Sequence, residues 1–125
     1  MNHYIDGFVF PIAKKDLDTY KAVAQQVADI YKELGATAYY EFLSDDLTME
    51  GTRSFVDATD AQPDEVIIFG WIMFDSSESR KKVNEKLHAD TRVQDLVAPL
   101  VDPDRMIFNP GRMAFGGFRS FIQSK

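Results

Sequence analysis

The sequence predicts an α+β fold with a four-stranded antiparallel sheet and two principal helices, and three observations predict it. Strand-like and helix-like stretches follow one another in the order β-α-β-β-α-β. The 125 residues suit one domain spanning residues 1–125, because two would each sit near the lower size limit. Hydrophobic residues make up 45% of the chain and include ten Phe, enough for a core and too many for a disordered chain.

Tyr4 to Phe10 (YIDGFVF) reads as the first strand, rich in β-branched and aromatic residues and stopped by Pro11, which cannot donate to a ladder. Asp16 to Leu34 reads as a helix. Leu17, Tyr20, Ala24, Val27, Tyr31 and Leu34 form one stripe, Val23 and Ile30 widen it, and Gly35 supplies the left-handed residue that ends it. Thr37 to Leu43 is the second strand. Ser44 to Asp64 is long for a hairpin connection, so a protruding excursion is expected, the least packed part of the chain, with a short extra strand around Ser54 to Val56.

Glu65 to Phe74 is the third strand, apolar on both faces. Val66, Ile68, Ile72 and Phe74 fall on one side; Ile67, Phe69, Trp71 and Met73 fall on the other. Asp75 is placed to cap the next helix, with Glu78 at the capping-box position, and that helix runs to about His88. Thr91 to Leu100 reads as a short third helix, and Arg112 to Gln123 as the last strand. The order is the ferredoxin-like split βαβ arrangement. Two helices cover one face of such a sheet, yet the third and fourth strands are apolar on both. A second copy packed sheet to sheet is the economical cover, forming a dimeric α–β barrel.

Charge narrows the partners. The net charge is −6, and Glu41 to Glu65 alone carries −7, leaving +1 for the rest. Such a surface repels phosphate backbones, so no nucleic-acid partner is expected. The longest apolar run, Val66 to Phe74, is nine residues, against roughly 20 for a membrane span. The N-terminal MNHYIDGF has no secretory pattern, and a cytoplasmic location is expected. With no cysteine, disulfides, thiolate metal sites and Cys nucleophiles are excluded.

Taken together, Asp6-Gly7-Phe8, Gly35-Ala36, Tyr40-Glu41, Asp45-Asp46, Phe69-Gly70-Trp71-Ile72, Asn84-Glu85-Lys86, Arg112-Met113 and Gly116-Gly117-Phe118 resemble the DUF1428 (YbaA-like) family of uncharacterised bacterial proteins across nearly the whole chain. Tyr31 and Gly70 depart from that pattern, where Trp and Ser would be expected. The resemblance implies the dimeric α–β barrel superfamily, whose members include cofactor-independent monooxygenases, haem-degrading enzymes and non-catalytic stress proteins. It implies no particular activity.

Few residues carry candidate chemistry. His3 and His88 are the only histidines, one near a terminus and one at a helix end, where an imidazolium suits the dipole. No G-x-S-x-G, H-E-x-x-H or phosphate-cradling loop occurs, so no cofactor and no metal are expected. Gly116-Gly117 reads as a close approach of backbone or ring within a strand, and Asp45-Asp46 with Glu50 as a solvated loop. Asp6 shares a strand face with Phe8 and Phe10, so its carboxylate needs a partner or a raised pKa. Glu41 poses the same question beside Tyr39 and Leu43. Trp71 has an indole N–H to satisfy, and Arg112 can neutralise either acid.

If these faces coincide, Asp6, Phe8, Glu41, Trp71 and Arg112 line an aromatic cavity with few polar groups, a small-molecule site. The expected function is binding of a small aromatic or hydrophobic metabolite inside the barrel, with cofactor-independent oxidation or isomerisation using Asp6 or Glu41 as base. The alternative is a non-enzymatic dimeric binding or stress-response module.

Overall fold

The computed structural model describes residues 3–124. Its elements are β1 (Tyr4–Ala13), α1 (Leu17–Leu34), β2 (Ala38–Leu43), α2 (Phe55–Thr59), β3 (Glu65–Phe74), α3 (Ser77–Ala89), α4 (Thr91–Val97) and β4 (Ala114–Arg119). The strands form one antiparallel sheet in the order β2-β3-β1-β4. This is the expected α+β, ferredoxin-like arrangement.

The register sorts the residues onto two faces. Asp6 pairs with Ile72 and Phe8 with Gly70, so Tyr4, Asp6, Phe8, Phe10 and Ile12 share a face with Ile68, Ile72 and Phe74. The helices lie on this face. The core here comprises Phe8, Phe10, Ile12, Ala36, Ile68, Ile72, Phe74 and Val83, with Leu17, Tyr20, Tyr31 and Tyr39 packed against it. The other face carries Ile5, Val9, Tyr40, Phe42, Phe69, Trp71 and Phe118, and in the single chain Tyr40, Phe42, Phe69 and Phe118 stay exposed.

Four boundaries differ from the sequence reading. β1 continues through Pro11 to Ala13, because β4 pairs with β1 only as far as Val9 and proline is tolerated along a free edge. The expected strand at Ser54–Val56 is the helix α2: the Ser54 side chain accepts from the Val56 N–H and starts a helical turn. The cap of α3 is Ser76, which accepts from the Ser79 N–H, rather than Asp75. The last strand covers Ala114–Arg119 and not Arg112–Gln123: a 3₁₀ turn occupies Pro110–Arg112, and Phe121 and Ile122 lie beyond the sheet, 93% and 85% exposed.

The helix α1 ends as expected at Gly35, whose φ of 124° no side-chain-bearing residue adopts readily. Most of residues 45–64 are exposed, but the excursion is anchored. Thr59 is buried, and the Phe55 ring meets Phe69 edge-on at 5.8 Å, so α2 caps one end of the open sheet face.

Candidate functional site

Alternation along the strands decides which candidate residues meet. Asp6, Phe8 and Glu41 fall on the helix-covered face, whereas Trp71 falls on the open one. Arg112 lies elsewhere again. Its guanidinium donates to the Glu65 carboxylate at 2.6 and 2.9 Å and to the Asp60 carbonyl at 2.9 Å, tying the 3₁₀ turn before β4 to the end of the acidic excursion. The partner of Asp6 is Arg80 instead.

Asp6 is 1% exposed and accepts from Arg80 Nε at 2.5 Å and Asn84 Nδ2 at 3.3 Å, both presented by α3. The guanidinium also lies over the Tyr4 ring, 5.4 Å from its centroid. Gly117, paired with Asp6, makes room for this arrangement: a Cβ there would fall 2.7 Å from Tyr4 Oη and 3.3 Å from Arg80 Cζ. A carboxylate in an aromatic core is thus fully partnered by a cation and an amide, as burial requires. Its geometry is that of a pin between sheet and helix.

Glu41 is the carboxylate that faces open space. The Tyr20 hydroxyl of α1 donates to its Oε1 at 2.5 Å, and the Tyr39 hydroxyl of β2 to its Oε2 at 2.6 Å. Helix periodicity puts Tyr20 on the sheet-facing stripe, and strand periodicity puts Tyr39 two residues before Glu41 on the same face. Glu41 pairs with Gly70, whose missing side chain leaves space for the Phe8 ring; a Cβ there would sit 2.6 Å from Phe8 Cζ and from the Tyr40 carbonyl oxygen. Burial, and then the Glu41 charge and hydrogen bonds, push both hydroxyls far above the ordinary phenol range. Tyr20 and Tyr39 therefore stay protonated at any physiological pH and act as donors. Burial and the Asp6 charge raise Tyr31 to about 12.

This cluster lies in a groove of about 520 Å³ between α1 and the edge strand β2, walled by Leu17, Ala24, Tyr40, Phe42 and Ile68 with Asp18 and Lys21 at its rim. The carboxylate keeps lone pairs beyond the two used by tyrosine, so the groove offers a strong acceptor deep among aromatic and aliphatic walls, with charged side chains only at its rim. On the open face a second groove of about 350 Å³ runs between Trp71 and Phe118, floored by Gly7 and Gly116. Among the described residues, no group of three or more His, Cys, Asp or Glu side chains is placed to hold a metal ion.

Sequence reasoning thus reached Asp6 and Glu41 but not their partners. Arg80 and Asn84 lie 74 and 78 residues from Asp6, a distance no local pattern spans. Tyr20 and Tyr39 carried a signal, a polar tip on otherwise apolar faces, which becomes legible only when the two elements are set side by side.

The fold and groove define a small ferredoxin-like α+β protein. Its solved neighbours share that fold: a putative antibiotic biosynthesis monooxygenase from Nitrosomonas europaea aligns at a TM-score of 0.60 and 7% identity, covering 98% of this chain and 94% of that one. A nipsnap family protein with unknown function from Agrobacterium tumefaciens aligns at 0.56 and 12% identity, covering 94% and 87%. The chain belongs to the DUF1428 family, described as a protein of unknown function, which matches residues 3–109. Uncharacterized protein YbaA of Escherichia coli strain K12 and its counterpart in Shigella flexneri are each 32% identical over 119 residues, spanning 95% of this chain and 97% of the relative. No helix among the described residues is long and apolar enough to cross a membrane.

Proposed function

We propose that this protein is a cytoplasmic homodimer that binds a small aromatic or hydrophobic metabolite in the groove between α1 and β2. The observation that carries the reading is Glu41, a carboxylate with two tyrosine hydroxyls fixed on it inside an open, largely apolar groove. Such a group orients a ligand through one donated hydrogen bond while the walls supply contact area. Any chemistry there is proton transfer: Glu41 accepts a proton from a bound acidic O–H or C–H, and Tyr20 and Tyr39, each donating its one hydroxyl hydrogen to the carboxylate, hold that base in place. That is the step an isomerisation or a cofactor-independent oxidation begins with. Asp6 serves as neither base nor ligand contact in this reading, because Arg80 and Asn84 occupy it.

The dimer reading rests on the open sheet face. Apart from Glu65 at one end, held by Arg112, the strand residues on that side are uncharged, so two copies meet there without like-charge repulsion despite the net charge of −6. A cysteine-free chain also has no disulfide to gain in an oxidising compartment.

The test is an NMR titration with a panel of small aromatic metabolites. Chemical-shift changes are expected along α1 and β2, and Glu41→Gln should weaken binding about tenfold while leaving the fold intact. Shifts confined to the Trp71–Phe118 face, or no binding across the panel, would remove the groove reading. A monomer at micromolar concentration in sedimentation would remove the dimer.

A further inference from the structure

The carboxylates that the fold draws partly or wholly out of water are of two kinds. Asp6 is bound by the Arg80 guanidinium and Glu65 by that of Arg112, so each negative charge meets a positive one. Glu41 is bound by two neutral groups, the hydroxyls of Tyr20 and Tyr39. Among the described residues the ion pairs are held by Asp6, Glu33, Glu65, Glu78 and Asp90, and Glu41 takes part in none. A hydroxyl supplies a hydrogen bond but no countercharge, so the desolvation of Glu41 is only partly offset within the chain.

The surroundings leave that charge in place. Asp18, Lys21 and Glu41 are the charged side chains lining the groove, two acids against one base, a net of −1. Lys21 is exposed at the rim and makes no ion pair with Glu41. Asp45 and Asp46 follow β2, and the chain as a whole carries −6, so the field around the groove favours a positive ligand. Aromatic rings complete the site. Tyr20, Tyr39, Tyr40 and Phe42 line it, and the last two stack with centroids 6.1 Å apart and 13° between their planes. The face of such a ring attracts a cation placed over it. An unpaired carboxylate among aromatic rings, in a groove open to solvent, is complementary to an organic cation with an apolar body.

We propose, resting on the groove reading, that the ligand is an arylalkylamine in its ammonium form: the ammonium donates to the free lone pairs of Glu41, and its ring packs against the aromatic wall. The ammonium supplies the countercharge that the chain withholds from Glu41. A neutral alcohol of the same shape makes the hydrogen bond without the charge pairing. A carboxylate in the same place meets Glu41 as a like charge.

The experiment follows amide shifts of the full chain at neutral pH in titrations with four ligands of similar shape: phenethylamine, phenethyl alcohol, ethylbenzene and hydrocinnamate. Phenethylamine should bind about tenfold more tightly than phenethyl alcohol, with hydrocinnamate the weakest of the four. Glu41→Gln should remove that preference and bring amine and alcohol within about twofold of each other. Lys21→Gln, an exposed change on α1, should tighten phenethylamine about twofold and leave ethylbenzene as it was. This second variant keeps the charge test available should Glu41→Gln melt early. Equal affinity for amine and alcohol in the wild type, with both weakened by Glu41→Gln, would overturn the cation and leave the groove reading standing. A preference for the amine that survives Glu41→Gln would belong to the general negative field of the chain and would overturn the assignment to Glu41. Hydrocinnamate as the tightest ligand would make Lys21 the head-group contact and overturn it as well. Silence from all four would overturn the arylalkylamine class, and the groove reading falls with it only if the wider aromatic panel is silent too.

Discussion

The two faces of the sheet come from the same four strands, yet they solve different problems. On the helix side the two strand carboxylates have found partners within the chain, Asp6 with Arg80 and Asn84, Glu41 with Tyr20 and Tyr39. On the other side there is almost nothing polar to satisfy; aromatic rings lie side by side, Tyr40 at 6.0 Å and Phe42 at 5.1 Å from Trp71, with no layer above them. On the first face the helices supply the cover, with the groove beside α1 left open. On the second the rings stay exposed in the single chain. The contrast teaches that an apolar strand face and a polar one are not inside and outside here: the face holding two carboxylates is the buried one.

Matched truncations probe the contrast most strongly. Phe74→Ala on the covered face should destabilise the fold by about 3–5 kcal/mol, since Phe74 is 0% exposed and its removal leaves a cavity. Phe118→Ala on the open face, where the ring is 59% exposed, should change single-chain stability by less than about 0.5 kcal/mol and instead shift the monomer–dimer balance toward monomer. Denaturant melts and sedimentation on both variants measure this. Equal losses of stability would mean that the faces do not differ in the way described.

Asp6→Asn sharpens the distinction between a pin and a ligand site. An amide placed against Asn84 and the Arg80 guanidinium keeps the shape but loses the charge-assisted bond, so a loss of about 2 kcal/mol is expected. Ligand affinity at the Glu41 groove should be unchanged wherever the variant is folded. Unchanged stability with binding abolished would return Asp6 to the site.

The smallest effect is the pH response of the pair closing the sheet end. Hydrogen bonds from Arg112 hold the Glu65 carboxyl below its ordinary 4.5. A depressed folded-state pKa means that the pair's contribution is present above that ordinary value and is lost as pH falls through the lower one. Because Arg112 is partly exposed, the contribution is about 1 kcal/mol or less. Arg112→Met should melt slightly earlier than the wild type at pH 7, with the difference vanishing below the Glu65 titration. A difference that persists in acid would assign the effect to packing of the Arg112 stem.

The order of strands and helices along the chain, the amphipathic α1 and the doubly apolar β3 are legible in the sequence because each is written in a local period, 3.6 or 2 residues. So is the fact that Asp6 and Glu41 need partners, since each sits among aromatics at a strand spacing. Their partners are not legible. Arg80 reads as part of a basic run with Lys81 and Lys82 on a helix surface, and only the placement of α3 over β1 sends it inward to Asp6. Likewise Trp71 and Glu41 belong to adjacent strands, and their separation rests on register: Glu41 pairs with Gly70, one residue from Trp71, and that single step puts them on opposite faces. Local chemistry thus determined which residues could not stand alone. Tertiary structure decided which residue meets each of them, because pairing depends on crossover and register, which join residues that no local pattern relates.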